Sequence, residues 1–454
     1  AESPAVEDPG ATTTAEISAT WSDRCDIDPT IYLTHYPQYA YADAAARPSS
    51  APNAVPNPAP TGDGAVAEVA VAPIVVIAPD EPGILDDNTF IDAGESRWIA
   101  VDDDRESTFG LDVDTGSYSI AKTLVASGWQ PEPDSIRPEE WVNAFRYGDV
   151  NDGPAALATT IETAAATAGA PALMRIGVST VDLAAEDRPA ANVTFVIDTS
   201  GSMDIRARLG MVKASLALLT RNLRADDTVA IVIYGSEASP LLAPTAVADW
   251  RTIVDAIDSL QPGGSTNMEA GLHLGYQLAQ ESFDPDAVNV VVLASDGVAN
   301  VGATDPDVLT DTITRAGDDG VKLVTVGFGM GNYNDVLMEQ LANQGDGFYS
   351  YVDTYAEAVR LFVDELTPTL TTVAKDAKVQ VVFDDEVVAR YRLIGYENRT
   401  LDDSQFRDDT VDAGEFGAGH HATAVYELEL VDGAAADAVA GEVRLRWEDP
   451  ATGE

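Results

Sequence analysis

Between residues 192 and 366 the hydrophobic positions follow two alternating periods. Short apolar runs rich in β-branched residues occur at 193–198, 229–234, 288–293, 321–327 and 347–352. Between them apolar residues recur at helical spacing, as at Leu209, Val212, Leu216 and Leu219, or through Leu272, Tyr276 and Leu278. Continuous apolar runs of this length, separated by helix patterns, read as strands buried on both faces. The alternation predicts an α/β fold, a doubly wound and mostly parallel sheet with helices on both sides. Residues 239–243 read as an antiparallel edge strand and 355–366 as a closing helix.

The flanks have other patterns. Residues 1–88 lack periodicity and are rich in Ala, Pro, Ser, Thr and Asp, with Pro48, Pro52, Pro56, Pro58 and Pro60 close together; they read as an extended linker or stalk. Two parts resist that reading. Residues 31–41 carry four tyrosines, and 65–78 are apolar enough to form a strand. Either segment could dock on its own domain, on a partner or on another copy. Residues 89–191 read as a smaller α+β extension: a strand at 107–113, a helix at 117–127, and a turn-rich joint at 131–138. A second helix over 139–147, with Trp141, Val142 and Phe145 inward, precedes strands at 158–164 and 172–181. Residues 368–454 form a β-rich C-terminal domain, with strands expected at 371–383, 387–396, 421–431 and 442–447. Because this domain and the extension flank the central module, their strands are expected to pair. The chain closes in a turn at 449–453 with no return strand, so it is expected to continue beyond Glu454.

The chemistry concentrates where the first strand of the central module ends. The run 193–197 passes into Asp198, Thr199, Ser200, Gly201 and Ser202, and a helix pattern follows. A carboxylate and two hydroxyls thus stand at the carboxyl edge of a parallel sheet, where open α/β sheets bind ligands. Such a set suits hard, oxygen-seeking cations. Gly263-Gly264-Ser265-Thr266-Asn267, and Ser295-Asp296-Gly297 after the strand at 288–293, bring further oxygens to the same edge. With these three motifs in order, the sequence resembles the von Willebrand factor type A family over residues 192–366. That resemblance implies a metal-ion-dependent adhesion site made of Asp198, Ser200, Ser202, Thr266 and Asp296, holding Mg²⁺, or Mn²⁺ or Ca²⁺. It divides the chain into 1–88, 89–191, 192–367 and 368–454. The stretches Ser107-Thr108-Phe109, Asp112-Val113-Asp114-Thr115 and Ser117-Tyr118, and later 412–420, resemble a bacterial exported group within the family.

Charge narrows the partners. The chain has 454 residues, 45% of them hydrophobic, and 76 acidic residues against 26 basic ones give a net charge of −50. This opposes direct binding to nucleic-acid phosphates or to anionic lipid. It fits a surface adapted to high salt, where screening shortens self-repulsion. The one cysteine, Cys25, forms no internal disulfide, and no apolar run is long enough to span a membrane as a helix.

Three further motifs are weighed against plain structural roles. Asp114-Thr115-Gly116-Ser117 is the tetrapeptide of aspartic proteases, but those enzymes need two such aspartates. A helix pattern follows it, where Asp and Ser act as caps. His420-His421 lacks the further ligands of a zinc site, and His273, the candidate general base by residue type, reads as structural. No histidine signature accompanies the serines as in a nucleophilic triad. The resemblance therefore implies a binding module rather than an enzyme. In it Ser200, Ser202 and Thr266 offer neutral oxygens, the metal keeps positive charge, and an Asp or Glu of a protein ligand completes it. The expectation is divalent-metal-dependent binding by an exported, cell-surface protein. The alternatives are a structural subunit that self-assembles through 65–78 by strand addition, and a regulatory partner of a cytoplasmic ATPase.

Overall fold

The computed structural model describes residues 27–34, 94 and 96–453, apart from 112–113, 127, 154, 166–169, 184–187, 297–312, 318–319, 330–334, 353, 366–370, 398, 409–410, 412, 436–437 and 451. After a single helical turn at Ile31–Thr34, the elements in chain order are β1 (Ile99–Ala100), β2 (Glu106–Gly110), α1 (Gly116–Ala126), α2 (Pro138–Asn143), β3 (Leu157–Ala164) and β4 (Ala172–Thr180). The central module follows as β5 (Ala191–Asp198), α3 (Arg208–Asn222), β6 (Thr228–Tyr234), β7 (Ala238–Ala246), α4 (Trp250–Ser259), α5 (Met268–Glu281), β8 (Val288–Ser295), β9 (Val321–Phe328), α6 (Asp335–Gln344), β10 (Tyr349–Val352) and α7 (Tyr355–Val359). The chain finishes with β11 (Thr372–Phe383), β12 (Val388–Ile394), β13 (Thr400–Leu401), β14 (Phe416–Gly417), β15 (His421–Leu430) and β16 (Gly441–Glu448).

The central sheet has the order β10-β9-β8-β5-β6-β7. All its pairings are parallel except β6 with β7. Strand β5 lies between β6 and β8, so the winding reverses beside it, and the carboxyl end of such a strand opens into a crevice. Its alternate residues feed two cores. Val193, Phe195 and Ile197 pack with α3, α4 and the Leu361–Phe362 turn beyond α7 on one face. Val196 packs with Met268, Leu272, Leu323 and Leu341 on the other. Ile120 and Leu124 of α1 belong to that second core. The extension's first helix is therefore part of the central module's packing, not a separate layer.

The strands flanking this module pair as expected, into two antiparallel sheets. One runs β1-β12-β15-β4-β3; the other runs β13-β2-β11-β14, with β16 also on β11. Their inner faces share a core in which Phe109, Phe383, Tyr391, Tyr396 and Tyr426 stack edge to face or in parallel. Tyr391 and Tyr426 keep their hydroxyls satisfied on Glu106 O and Ser107 Oγ, which lets large phenols stay buried. The central module is thus inserted in the chain between the early and late strands of one β-sandwich.

A buried charge network fixes module to sandwich. Asp114, Glu140 and Glu339 bring carboxylate oxygens within 4.8 Å of one another. Arginines already hold them. Arg137 bonds Glu140 and lies 3.0 Å from Glu339, and Arg399 lies 3.4 Å from Asp114. This makes the cluster a lock rather than a cation site. Asp114 Oδ1 also accepts from the backbone N–H of Tyr349 on β10. The aspartate of the protease-like tetrapeptide thus bonds another segment, and Glu140 Oε2 takes the Ser117 N–H. Gly116 has no room for a side chain: an added Cβ would stand 2.3 Å from the Tyr349 ring.

Other expectations are adjusted. Helix α2 ends at Asn143, and Phe145 is 50% exposed rather than inward, its ring set edge-on to Tyr118. The closing helix turns α-helical over Tyr355–Val359 and then widens to π-helical turns over Arg360–Glu365. His420 is half-buried, its ring set edge-on to Phe416, as in a structural loop role. In the stretch expected as linker, Ile27 and Tyr32 pack into the central module, and the Tyr32 hydroxyl donates to Asp258 Oδ1 at 2.6 Å. Cys25 and residues 65–78 lie outside the described residues.

Removing a charge from the lock strands its partners in low dielectric. Arg137→Met is expected to destabilise the protein by about 3–5 kcal/mol in urea unfolding, and Arg137→Met with Glu140→Gln by less than Arg137→Met alone.

Candidate functional site

The site forms where three loops meet at the carboxyl edge of the central sheet. Backbone bonds hold the loops together before any ligand is considered. Thr199 N–H and hydroxyl both donate to Tyr234 O, at 2.9 and 3.0 Å, tying the end of β5 to β6. Gly201 N donates to Gly264 O at 3.1 Å, and Asn267 N to Gly235 O at 2.9 Å. Gly264 makes the turn with φ +91°, and an added Cβ would meet Ser236 N at 3.0 Å. At Gly235 it would stand 2.8 Å from Gly263 O. The paired glycines and Gly235 thus permit the close approach that carries Thr266 to the rim. Asn267 then caps α5 by accepting from Ala270 N.

The five residues singled out from the sequence all lie on these loops. Asp198, Thr266 and Asp296 are fully buried, and Ser200 nearly so. Asp198 Oδ1 accepts from Ser200 N at 2.8 Å. Its other oxygen accepts from the Ser295 hydroxyl at 3.0 Å. The hydroxyls of Ser200 and Ser202 lie 2.9 Å apart. Asp296 Oδ2 accepts from Arg208 Nη1 at 2.7 Å, and Asp296 Oδ1 is buried with no hydrogen-bond partner. Burial first, and then the charge of nearby Asp296, push the Asp198 carboxyl up to about 7. Tyr234, beneath the loops, is likewise raised by burial and by Asp198.

Two buried carboxylates, adjacent hydroxyls and one orphaned carboxylate oxygen fit a hard cation. A divalent ion beside these oxygens would remove the electrostatic penalty that raises Asp198. Asp198, Ser200, Ser202, Thr266 and Asp296 would hold it, and Asp296 Oδ1 has a lone pair to give it directly or through water. Ser295 and Arg208 were not singled out from the sequence. Ser295 was visible as the residue before Asp296. Arg208 carried no signal beyond its place ahead of the apolar stripe of α3. His273 is exposed on α5.

A strand-end aspartate, paired hydroxyls, a threonine after glycines and a second aspartate, set around a parallel sheet with one antiparallel edge, define a von Willebrand factor type A domain. The model of that domain matches residues 192–365. This chain carries that domain and is similar to the protein YfbK. Residues 368–452 match the model described as "Uncharacterized protein YfbK, C-terminal", and 85–172 match one described as "von Willebrand factor". Uncharacterized protein YfbK of Escherichia coli is 41% identical over 333 residues, which are 71% of this chain and 58% of that protein. The chain therefore spans 58% of that relative's length. Uncharacterized protein sll0103 of Synechocystis is 26% identical over 63% of this chain and 69% of its own. Among solved structures, a von Willebrand factor type A protein from Catenulispora acidiphila is 18% identical with a TM-score of 0.40, over 67% of this chain and 72% of that one. Domains of this type are protein-interaction modules and often bind a divalent metal. Among the described residues, no helix is long and apolar enough to cross a membrane.

The raised Asp198 carboxyl has a signed consequence. Its folded value lies above the ordinary 3.8, so its contribution to stability is fully present below about 4 and lost as pH rises through about 7. With divalent ions chelated, the melting temperature is expected to fall between about pH 4 and 7, and Asp198→Asn to flatten that fall. Differential scanning calorimetry across this range, with and without Mg²⁺, measures both; saturating Mg²⁺ should reverse the wild-type slope below pH 7.

Proposed function

We propose that the protein uses this rim to bind a carboxylate-bearing protein ligand through a divalent metal, without catalysis. The observation that carries the reading is the orphaned, buried Asp296 Oδ1 beside Asp198 and the paired serine hydroxyls. A binding role accounts for the site better than hydrolysis does. The Ser200 hydroxyl meets Ser202, not an imidazole, so no base is placed to make it a nucleophile. A cation held mostly by neutral oxygens keeps charge to offer an outside Asp or Glu. Mg²⁺ is the natural occupant for a small all-oxygen set, with Mn²⁺ able to replace it.

We place the protein outside the cell, at its surface. Support comes from the excess of acidic residues, 76 against 26 basic ones. The negative surface repels an acidic ligand at a distance, but salt at physiological strength or above limits that field to about 8 Å or less. A bond made at the metal acts at contact and is little screened.

Titration calorimetry with Mn²⁺ tests the reading. Wild type is expected to bind one ion per chain, and Asp198→Ala to bind at least about 100-fold more weakly. Equal affinity in both proteins would remove the metal from the account.

A further inference from the structure

Arg208 is the feature of the site that this reading does not use. It opens α3, its guanidinium is buried at 4% exposure, and Nη1 donates to Asp296 Oδ2 at 2.7 Å. The same nitrogen reaches Ser202 O at 3.4 Å, so the arginine touches two of the three loops that form the rim. The fold keeps a place for it. Gly329, just past the end of β9, has φ +85°, and an added Cβ there would stand 2.4 Å from Arg208 Nε and 2.8 Å from its Cγ. A residue without a side chain lets the arginine stem through. Burying a guanidinium beside a cation site is costly, because it repels the ion that the site is built to hold.

We propose that Arg208 sets the charge of the site, and so decides what ligand the metal accepts. The inference rests on the metal-binding reading above. Asp198 and Asp296 carry two negative charges. With a divalent ion and no arginine, they would offset the ion's formal charge and weaken its pull on an outside anion. The buried guanidinium adds positive charge beside Asp296 and so strengthens the pull of the loaded site on a carboxylate. The arginine therefore weakens the hold on the metal and strengthens the hold on the ligand. It also fixes Asp296 by one oxygen, leaving Oδ1 without a hydrogen bond and so able to hold an ion. Arg208 is a positioning residue that acts through Asp296 and through its field.

The opposite signs of these two effects make the test. Arg208→Gln keeps an N–H donor and removes the charge; Arg208→Lys keeps the charge. Mn²⁺ affinity is read by titration calorimetry, and carboxylate affinity by the broadening of acetate methyl protons beside bound Mn²⁺. Arg208→Gln is expected to bind Mn²⁺ at least about tenfold more tightly and acetate at least about tenfold more weakly, with Arg208→Lys close to wild type. Gly329→Ala, which crowds the stem but leaves the charge in the chain, is expected to give the same split at smaller size; it serves if Arg208→Gln does not fold. Both affinities falling together in Arg208→Gln, or neither moving, would overturn the proposal by showing a merely structural arginine. Wild type that binds no Mn²⁺ would instead overturn the metal-binding reading beneath it.

Discussion

Two carboxylates buried a loop apart govern this structure. Asp198 ends the strand at which the sheet's winding reverses, and Asp296 directly follows the strand beside it. Neither lies in water, and like charges in a low dielectric repel strongly. The surrounding chain answers with donors: the backbone N–H of Ser200, the hydroxyl of Ser295 and the guanidinium of Arg208. These leave one oxygen unanswered. A protein that only needed a stable rim could place Asn or Ser there. Keeping two acids in such a position makes sense when a cation shares it.

The same logic, with a different outcome, governs the network between module and sandwich. Asp114, Glu140 and Glu339 also converge, yet each is paired with Arg137 or Arg399. Buried acids with arginine partners make a joint. Acids left one donor short beside small hydroxyls make a candidate ion site. The proximity of carboxylates therefore does not separate the two; the other side chains at each place do.

Much of the central module was legible because its signal is local. A β-branched run such as 193–197 buried on both faces has few other readings, and Asp198 after it falls at the sheet edge by topology alone. The antiparallel edge at β7 was visible for the same reason, although it runs three residues further than its pattern. What stayed hidden depends on distant partners. Asp114 looks like a helix cap until Tyr349, 235 residues away, is placed against it. Phe145 sits at an inward position of a helix that stops two residues earlier. Arg208 looks like an exposed helix-start cation, and only the glycine at 329 shows where its stem goes.

The sandwich has a further consequence, in the order in which its parts become available. Strand β2 pairs residues 106–110 with 378–382, and β1 pairs with β12. At the pace of synthesis, about 5–20 residues per second, the early partners wait on the order of tens of seconds for the late ones. In that interval only the β3–β4 hairpin can close, and an isolated two-stranded ribbon is marginal in water. Nascent chains with open strand edges tend to stick to their neighbours on a polysome. A backbone carrying nearly three acids for every base supplies mutual repulsion during that wait, so the charge that shapes the finished surface also protects the half-made one.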